Sequence, residues 1–137
     1  GEVYVDDGEL SIEPGVALLA GPDAQLTIGA STRGTLQIRG TVDSPVTIGP
    51  AEAGRTWRGI SLAGSARANV LEHLVITGAG NDAAIQVEGE VDAKLSGVTC
   101  SKCSGAVVGW RCGAKVTSSQ VLATDGTPKL ELKPEGC

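Results

Sequence analysis

The chain of 137 residues contains no Phe and no Met, and only two Trp, one Tyr and one His. A core cannot be built round large aromatic rings and must be filled with Val, Leu, Ile and Ala, which favours strands. A basic stripe is missing too: 11 Lys and Arg stand against 16 Asp and Glu, a formal net charge of -5. Nucleic-acid binding needs clustered cations to displace phosphate counterions, and docking on anionic lipid needs a basic face, so neither is expected. No apolar run approaches the length of a membrane span, about 18 residues or more, and no membrane insertion of this segment is expected. The chain starts at Gly1 and reads as a fragment or processed form of a larger protein.

Glycine and proline are abundant, at 20 and six. Between them recur short apolar couplets with a single intervening position: Val16/Leu18, Leu26/Ile28, Leu36/Ile38, Val46/Ile48, Ile60/Leu62, Leu74/Ile76 and Ile85/Val87. A period of two points both side chains to one face of a strand. Turn chemistry ends each one, as in Glu13-Pro14-Gly15, Gly21-Pro22-Asp23, Asp43-Ser44-Pro45 and Gly78-Ala79-Gly80. These residues supply positive φ or remove a ladder donor. No window carries a capped helical stripe, so the chain reads as all-β.

A longer period overlies the short one. Ile38, Ile60, Ile85 and Val107 form one apolar row, and Ile28, Ile48, Ile76, Val98 and Val121 form another. Leu71, Leu95 and Val116 are a candidate third row. Successive members stand roughly 20 to 28 residues apart, and rows in such approximate step predict stacked coils with several strands per turn. The expected fold is a right-handed parallel β-helix of about five rungs, three short strands each. An open sandwich is the alternative, though its strands would be longer and need no shared coil length. Residues 63–71 read as a loop bulging from one rung. The whole of 1–137 reads as a single domain, with 1–9 an N-terminal cap and 127–137 a C-terminal tail or cap.

The stretches Gly8-Glu-Leu-Ser-Ile-Glu-Pro-Gly-Val16, Gly21-Pro-Asp-Ala-Gln-Leu-Thr-Ile28, Gly34-Thr-Leu-Gln-Ile-Arg-Gly-Thr41, Trp57-Arg-Gly-Ile60 and Leu71-Glu-His-Leu-Val-Ile-Thr-Gly-Ala-Gly80 resemble the rungs of right-handed parallel β-helix repeat proteins of the pectin-lyase-like class. The resemblance covers roughly residues 8–126, mainly as periodicity beyond Ile85. It implies bacterial exported or cell-surface relatives and a fold shared by enzymes, adhesins and passive surface domains. The Asn-Thr-Asp, Asp-Asp, Gly-His-Gly and Arg-x-Lys set of galacturonan hydrolases does not occur here in that arrangement.

Cys100, Cys103, Cys112 and Cys137 lie near one end. An even number suggests disulfides formed in an oxidising compartment, and hence an extracellular, periplasmic or cell-surface location. A local Cys100 to Cys103 bridge and a Cys112 to Cys137 bridge are favoured among three pairings. Structural zinc and a redox pair are the rivals, disfavoured because no second close Cys pair follows.

Candidates for chemistry are sparse. Asp6-Asp7 lies before the repeat, and adjacent strand residues face opposite ways, so the pair reads as a solvated turn. His73 reads as an exposed strand or turn residue that hydrogen-bonds to a neighbouring rung, with ligand binding or an assembly contact as its alternatives. Arg33, Arg39, Arg55, Arg58 and Arg67 form the notable set. Of these, Arg39, Arg55 and Arg58 with Trp57 are the candidates for one outer face that serves as a platform for acidic glycan, since arginine forks match carboxylates and indole stacks on sugar. The favoured reading has Trp57, in its Trp-x-Gly-Ile rung signature, covering a core edge and Arg58 balancing Glu52 or Glu72. Asp23, Asp43, Asp82 and Asp92 are candidate calcium donors, without an Asp-x-Asp-x-Asp loop or Gly-Gly-x-Gly-x-Asp repeat; no cofactor is expected. Gly78-Ala79-Gly80-Asn81 lacks the Gly-Lys-Ser/Thr of a nucleotide loop. Thr27 and Thr47 read as near-equivalents of an ice-facing row that Val75 interrupts.

The expected function is therefore a noncatalytic structural or adhesive module of a secreted or cell-surface protein. A carbohydrate-binding module for acidic polysaccharide and a polysaccharide lyase or glycoside hydrolase are the alternatives. Expected partners are a polysaccharide or cell-surface component, a protein, or further copies associating end to end.

Overall fold

The computed structural model describes residues 2–132, of which 2, 129 and 132 are described by backbone alone. Its strands are β1 (Glu2–Val5), β2 (Gly8–Ile12), β3 (Ala17–Ala20), β4 (Gln25–Ile28), β5 (Gly34–Arg39), β6 (Val46–Pro50), β7 (Gly59–Leu62), β8 (Asn69–Thr77), β9 (Ala83–Val87), β10 (Asp92–Ser101), β11 (Ala106–Trp110), β12 (Lys115–Ser119), β13 (Leu122–Thr124) and β14 (Lys129–Leu132). Every pairing is parallel and joins strands of successive turns. One sheet runs β1-β4-β7-β9-β11-β14, and the other carries β12-β10-β8-β5-β2 with β3, β6 and β13 extending it. The fold is a right-handed parallel β-helix of about five turns.

Three separate strands per turn hold only where a corner interrupts the ladder. In the third and fourth turns the strands either side of that corner fuse into the longer β8 and β10. One residue in the left-handed region makes the bend: His73 at φ +46° in β8 and Gly97 at φ +67° in β10. A single such residue turns the chain and lets pairing resume immediately after it. In the first and second turns longer connections, 13–16 and 40–45, take this place.

The core is made of stacked rows, as parallel pairing buried on one face requires. Leu26, Ile60, Ile85 and Val108 form one row, Ile12, Ile38, Leu71 and Leu95 another, and Ile48, Ile76 and Cys100 a third. These differ in register from the rows read in the sequence. Ile38 and Ile60 belong to different sheets, Ile85 stacks on Val108 and not Val107, Ile76 on Cys100 and not Val98, and Val116 on Ala93. The cause is uneven coil length, since the chain path from Leu26 to Ile60 is much longer than that from Ile85 to Val108. The extra residues sit in the connections at 40–45 and 51–58, not in a bulge at 63–71. There, 69–71 already belong to β8, and the turn at 63–68 folds inward: Ala66 is fully buried and bridges Gly34.

Burial is deepest in the middle turns and weakest in the first. Val16 is only half-buried and Leu18 is exposed, because no preceding turn lies over them among the described residues. Val3, Leu10, Ile12, Val16, Leu18 and Leu26 contribute to a cavity of about 580 Å³ at that end. Residues 1–9, expected as a cap, contain β1 and the start of β2.

Candidate functional site

The alternative of an arginine and tryptophan platform is not assembled. Trp57 is 2% exposed, and its Nε1–H donates to the carbonyl of Thr77 at 2.8 Å. Its backbone is tied to the next turn as well, Trp57 N to Gly78 O at 3.3 Å and Gly80 N to Trp57 O at 2.7 Å. The indole covers a core edge and has no face to offer a sugar. Arg55 and Arg58 are exposed on the connection before β7, whereas Arg39 ends β5 in the other sheet. Arg39 pairs with Glu72 of the next turn at 3.5 Å and bonds Gln37. That ion pair is exposed and joins rung to rung.

His73 is half-buried at its corner, and its ring lies against Gly97 one turn above. Asp6 is a latch between the first two turns: its Oδ1 accepts from Ser31 N at 3.1 Å and Thr32 N at 3.4 Å. Asp92 does the same between the third and fourth turns, Oδ1 accepting from Ala68 N at 3.1 Å. Thr27 and Thr47 lie in different sheets, so they do not share a row.

Asn69 went unremarked in the sequence, yet it ties together more of the interior than any residue singled out there. At 1% exposure its Oδ1 accepts from Leu36 N at 3.0 Å, and its Nδ2 donates to Asp92 O at 3.0 Å. One amide therefore joins three successive turns. A polar group this buried is tolerated because both ends are satisfied. The available signal was an Asn opening an apolar strand, which turn chemistry alone leaves ambiguous with a loop residue.

The same corner holds a grouping that sequence distance concealed. Arg33 and Arg67, with Ser65, line a pocket of about 330 Å³. The Arg67 guanidinium is anchored to its own turn, Nη1 donating to Gly64 O at 2.9 Å and Ala66 O at 2.7 Å. The turns are bonded to each other through Gly34 N to Ser65 O at 3.3 Å, Ser65 N to Gly29 O at 2.9 Å and Arg67 N to Gly34 O at 2.9 Å. Gly29, at φ +69°, is required: a Cβ there would stand 2.2 Å from Ala66 N. The step along the chain from Arg33 to Arg67 equals that from Leu26 to Ile60, which stack directly. A correct coil length for that turn would have brought the two arginines together.

Among the described residues no three His, Cys, Asp or Glu side chains cluster as metal ligands. The candidate calcium donors stand on separate segments, Asp23 before β4, Asp43 before β6, Asp82 before β9 and Asp92 at the start of β10, where it is engaged as above. Cys100 and Cys103 form the expected local disulfide, both buried. Cys112 is exposed and disulfide-bonded, and its expected partner, Cys137, lies outside the described residues.

A scan against protein-family models finds no match, and searches of curated proteins and of solved structures find none at a significant level. The chain is a parallel β-solenoid of about five turns. One fold of this kind hosts many functions, and its side chains distinguish them.

Proposed function

We propose that this β-solenoid is a noncatalytic structural or adhesive module of a secreted or cell-surface protein, built like the pectin-lyase-like β-helices. The observation that carries this reading is how its polar side chains are used. Asp6, Asp92, Asn69, Arg39 and Glu72 each hold one turn to another, and Trp57 closes a core edge. Hydrolysis of a glycosidic bond by the usual carboxyl pair needs two such groups flanking that bond, whereas Asp6, Glu72 and Asp92 are each engaged singly, in a contact between turns. A buried disulfide between Cys100 and Cys103 supports an oxidising compartment.

The test is purified protein mixed with neutral and acidic polysaccharides, with and without calcium, following binding and release of reducing ends or unsaturated products in the same samples. No product is expected under any condition. Product release that disappears in Arg39→Ala or Arg58→Ala would overturn the reading in favour of a lyase or hydrolase. Saturable binding without turnover would shift it to a polysaccharide-recognition module.

A further inference from the structure

We propose that the pocket lined by Arg33, Ser65 and Arg67 binds a phosphate monoester. This goes beyond the scaffold reading and does not depend on it. Arg33, Ser65 and Arg67 line one cavity of about 330 Å³, so two cationic residues and one hydroxyl-bearing residue border the same space, and no Asp or Glu lines it with them among the described residues. The Arg33 side chain is exposed, and no hydrogen bond or ion pair holds it among the described residues. Arg67 is fixed through Nη1 alone in its two bonds to Gly64 and Ala66. Its other N–H groups take no part in those bonds. Two cations brought to one pocket repel each other, so an arrangement of this kind is relieved by an anion between them.

The charge and shape of that anion follow from the lining. A phosphate monoester carries about −1.5 to −2 at pH 7, enough to balance both guanidinium groups, whereas a carboxylate or a sulfate monoester carries one charge. Guanidinium forks pair bidentately with phosphate oxygens, and the Ser65 hydroxyl adds a third donor suited to a tetrahedral group. The volume is at the small end of ligand pockets, about 300 to 1,000 Å³, so it takes the phosphate with a small attached group.

The walls are already held. Asp6 latches the turn at Ser31 and Thr32, Asp92 latches Ala68, and backbone bonds join the two turns across Gly29, Gly34 and Ser65. A ligand entering a site of this kind orders the Arg33 side chain but little of the backbone. The chain as a whole is negative, at -5, and every charged side chain before Arg33 is acidic: Glu2, Asp6, Asp7, Glu9, Glu13 and Asp23. Anion binding here therefore comes from the pocket and not from a general field.

The test uses the folded chain in about 150 mM salt, titrated with glucose 6-phosphate, glucose 6-sulfate and glucuronate, and read by amide chemical shifts. Saturable shifts confined to residues 29–34 and 63–68 are expected with glucose 6-phosphate. The other two anions should bind about tenfold more weakly. Phosphate binding should weaken several-fold between about pH 7.5 and about pH 5, as the ester takes up its second proton near pH 6. Arg33→Gln, a surface change that leaves the turn's own hydrogen bonds intact, should abolish saturation while far-UV circular dichroism stays unchanged. Arg67→Gln should do likewise, and if that variant fails to fold, Arg33→Gln alone decides. Equal binding of all three anions, binding that survives in Arg33→Gln, or no saturation at millimolar phosphate ester would each overturn the proposal.

Discussion

The imidazole of His73 occupies the space that a side chain at Gly97 would enter, one turn apart at the same corner: a Cβ at position 97 would stand 2.7 Å from His73 Nδ1 and 3.0 Å from Cε1. Gly97 also has φ +67°. Gly97→Ala therefore meets two obstacles, a clash and an unfavourable backbone, and should lower stability by about 1–3 kcal/mol. In a His73→Ala background the clash is gone and only the backbone part should remain. Chemical denaturation of the four proteins of this cycle measures the coupling. An equal cost of Gly97→Ala in both backgrounds would sink the packing argument.

The inner amide should matter as much. Asn69→Ala leaves the Leu36 N–H and the Asp92 carbonyl without their buried partner. A loss of about 1–3 kcal/mol is expected, with faster amide exchange at Leu36 as the local readout. Unchanged exchange there would contradict the bridging role.

Core truncation separates the rows from the first turn. Ile60→Ala and Leu74→Ala, at fully buried positions, should each cost about 2–5 kcal/mol. Leu19→Ala, at 74% exposure, should fall within about 0.5 kcal/mol of the parent. Comparable losses at the two kinds of site would mean that the first turn is buried in solution by something else.

Arg39→Ala should be quiet. Its pair with Glu72 is exposed on both sides, 55% and 39%, and water screens such pairs to about 0–1 kcal/mol. A loss well above that range in urea denaturation would show that Arg39 does more than join two rungs.

The cysteines should divide by accessibility. Cys100 and Cys103 are buried at 0% and 3%, whereas Cys112 is exposed. Mild reductant followed by alkylation and mass spectrometry should label Cys112 first, leaving the Cys100–Cys103 bridge intact until denaturant is added. Simultaneous labelling would contradict the burial.

Fold class was legible because two features persist through the chain: couplets of period two, and glycine- or proline-marked turns that prevent most strands from lengthening. Register was not. A couplet such as Ile85/Val87 constrains one strand's face but carries no mark of which couplet it stacks on, and Val107 and Val108 are equally apolar and equally buried. The fusion of strands at His73 was hidden for a different reason, since a histidine in left-handed geometry has no sequence signature like that of glycine. The site residues suffered most from register. Arg39 and Arg58 look adjacent under a coil of uniform length, but the longer second turn leaves Arg39 at the end of β5 and Arg58 on the connection before β7, and brings Arg33 to Arg67 instead. For Trp57, burial decides between its two readings, since the indole covers a core edge.

The parallel ladders also give the molecule a direction in which it is mechanically weak. Hydrogen bonds between β4 and β7, or between β8 and β10, run along the coil axis, since each joins a turn to the one above it. Tension applied along that axis loads the bonds of an end turn first and lengthens the chain by peeling one coil at a time. Tension across the axis, by contrast, would have to shear many turns at once. The molecule should therefore yield stepwise when pulled end to end. Its steps should be uneven, longer where a coil such as Leu26 to Ile60 lets go and shorter for one such as Ile85 to Val108.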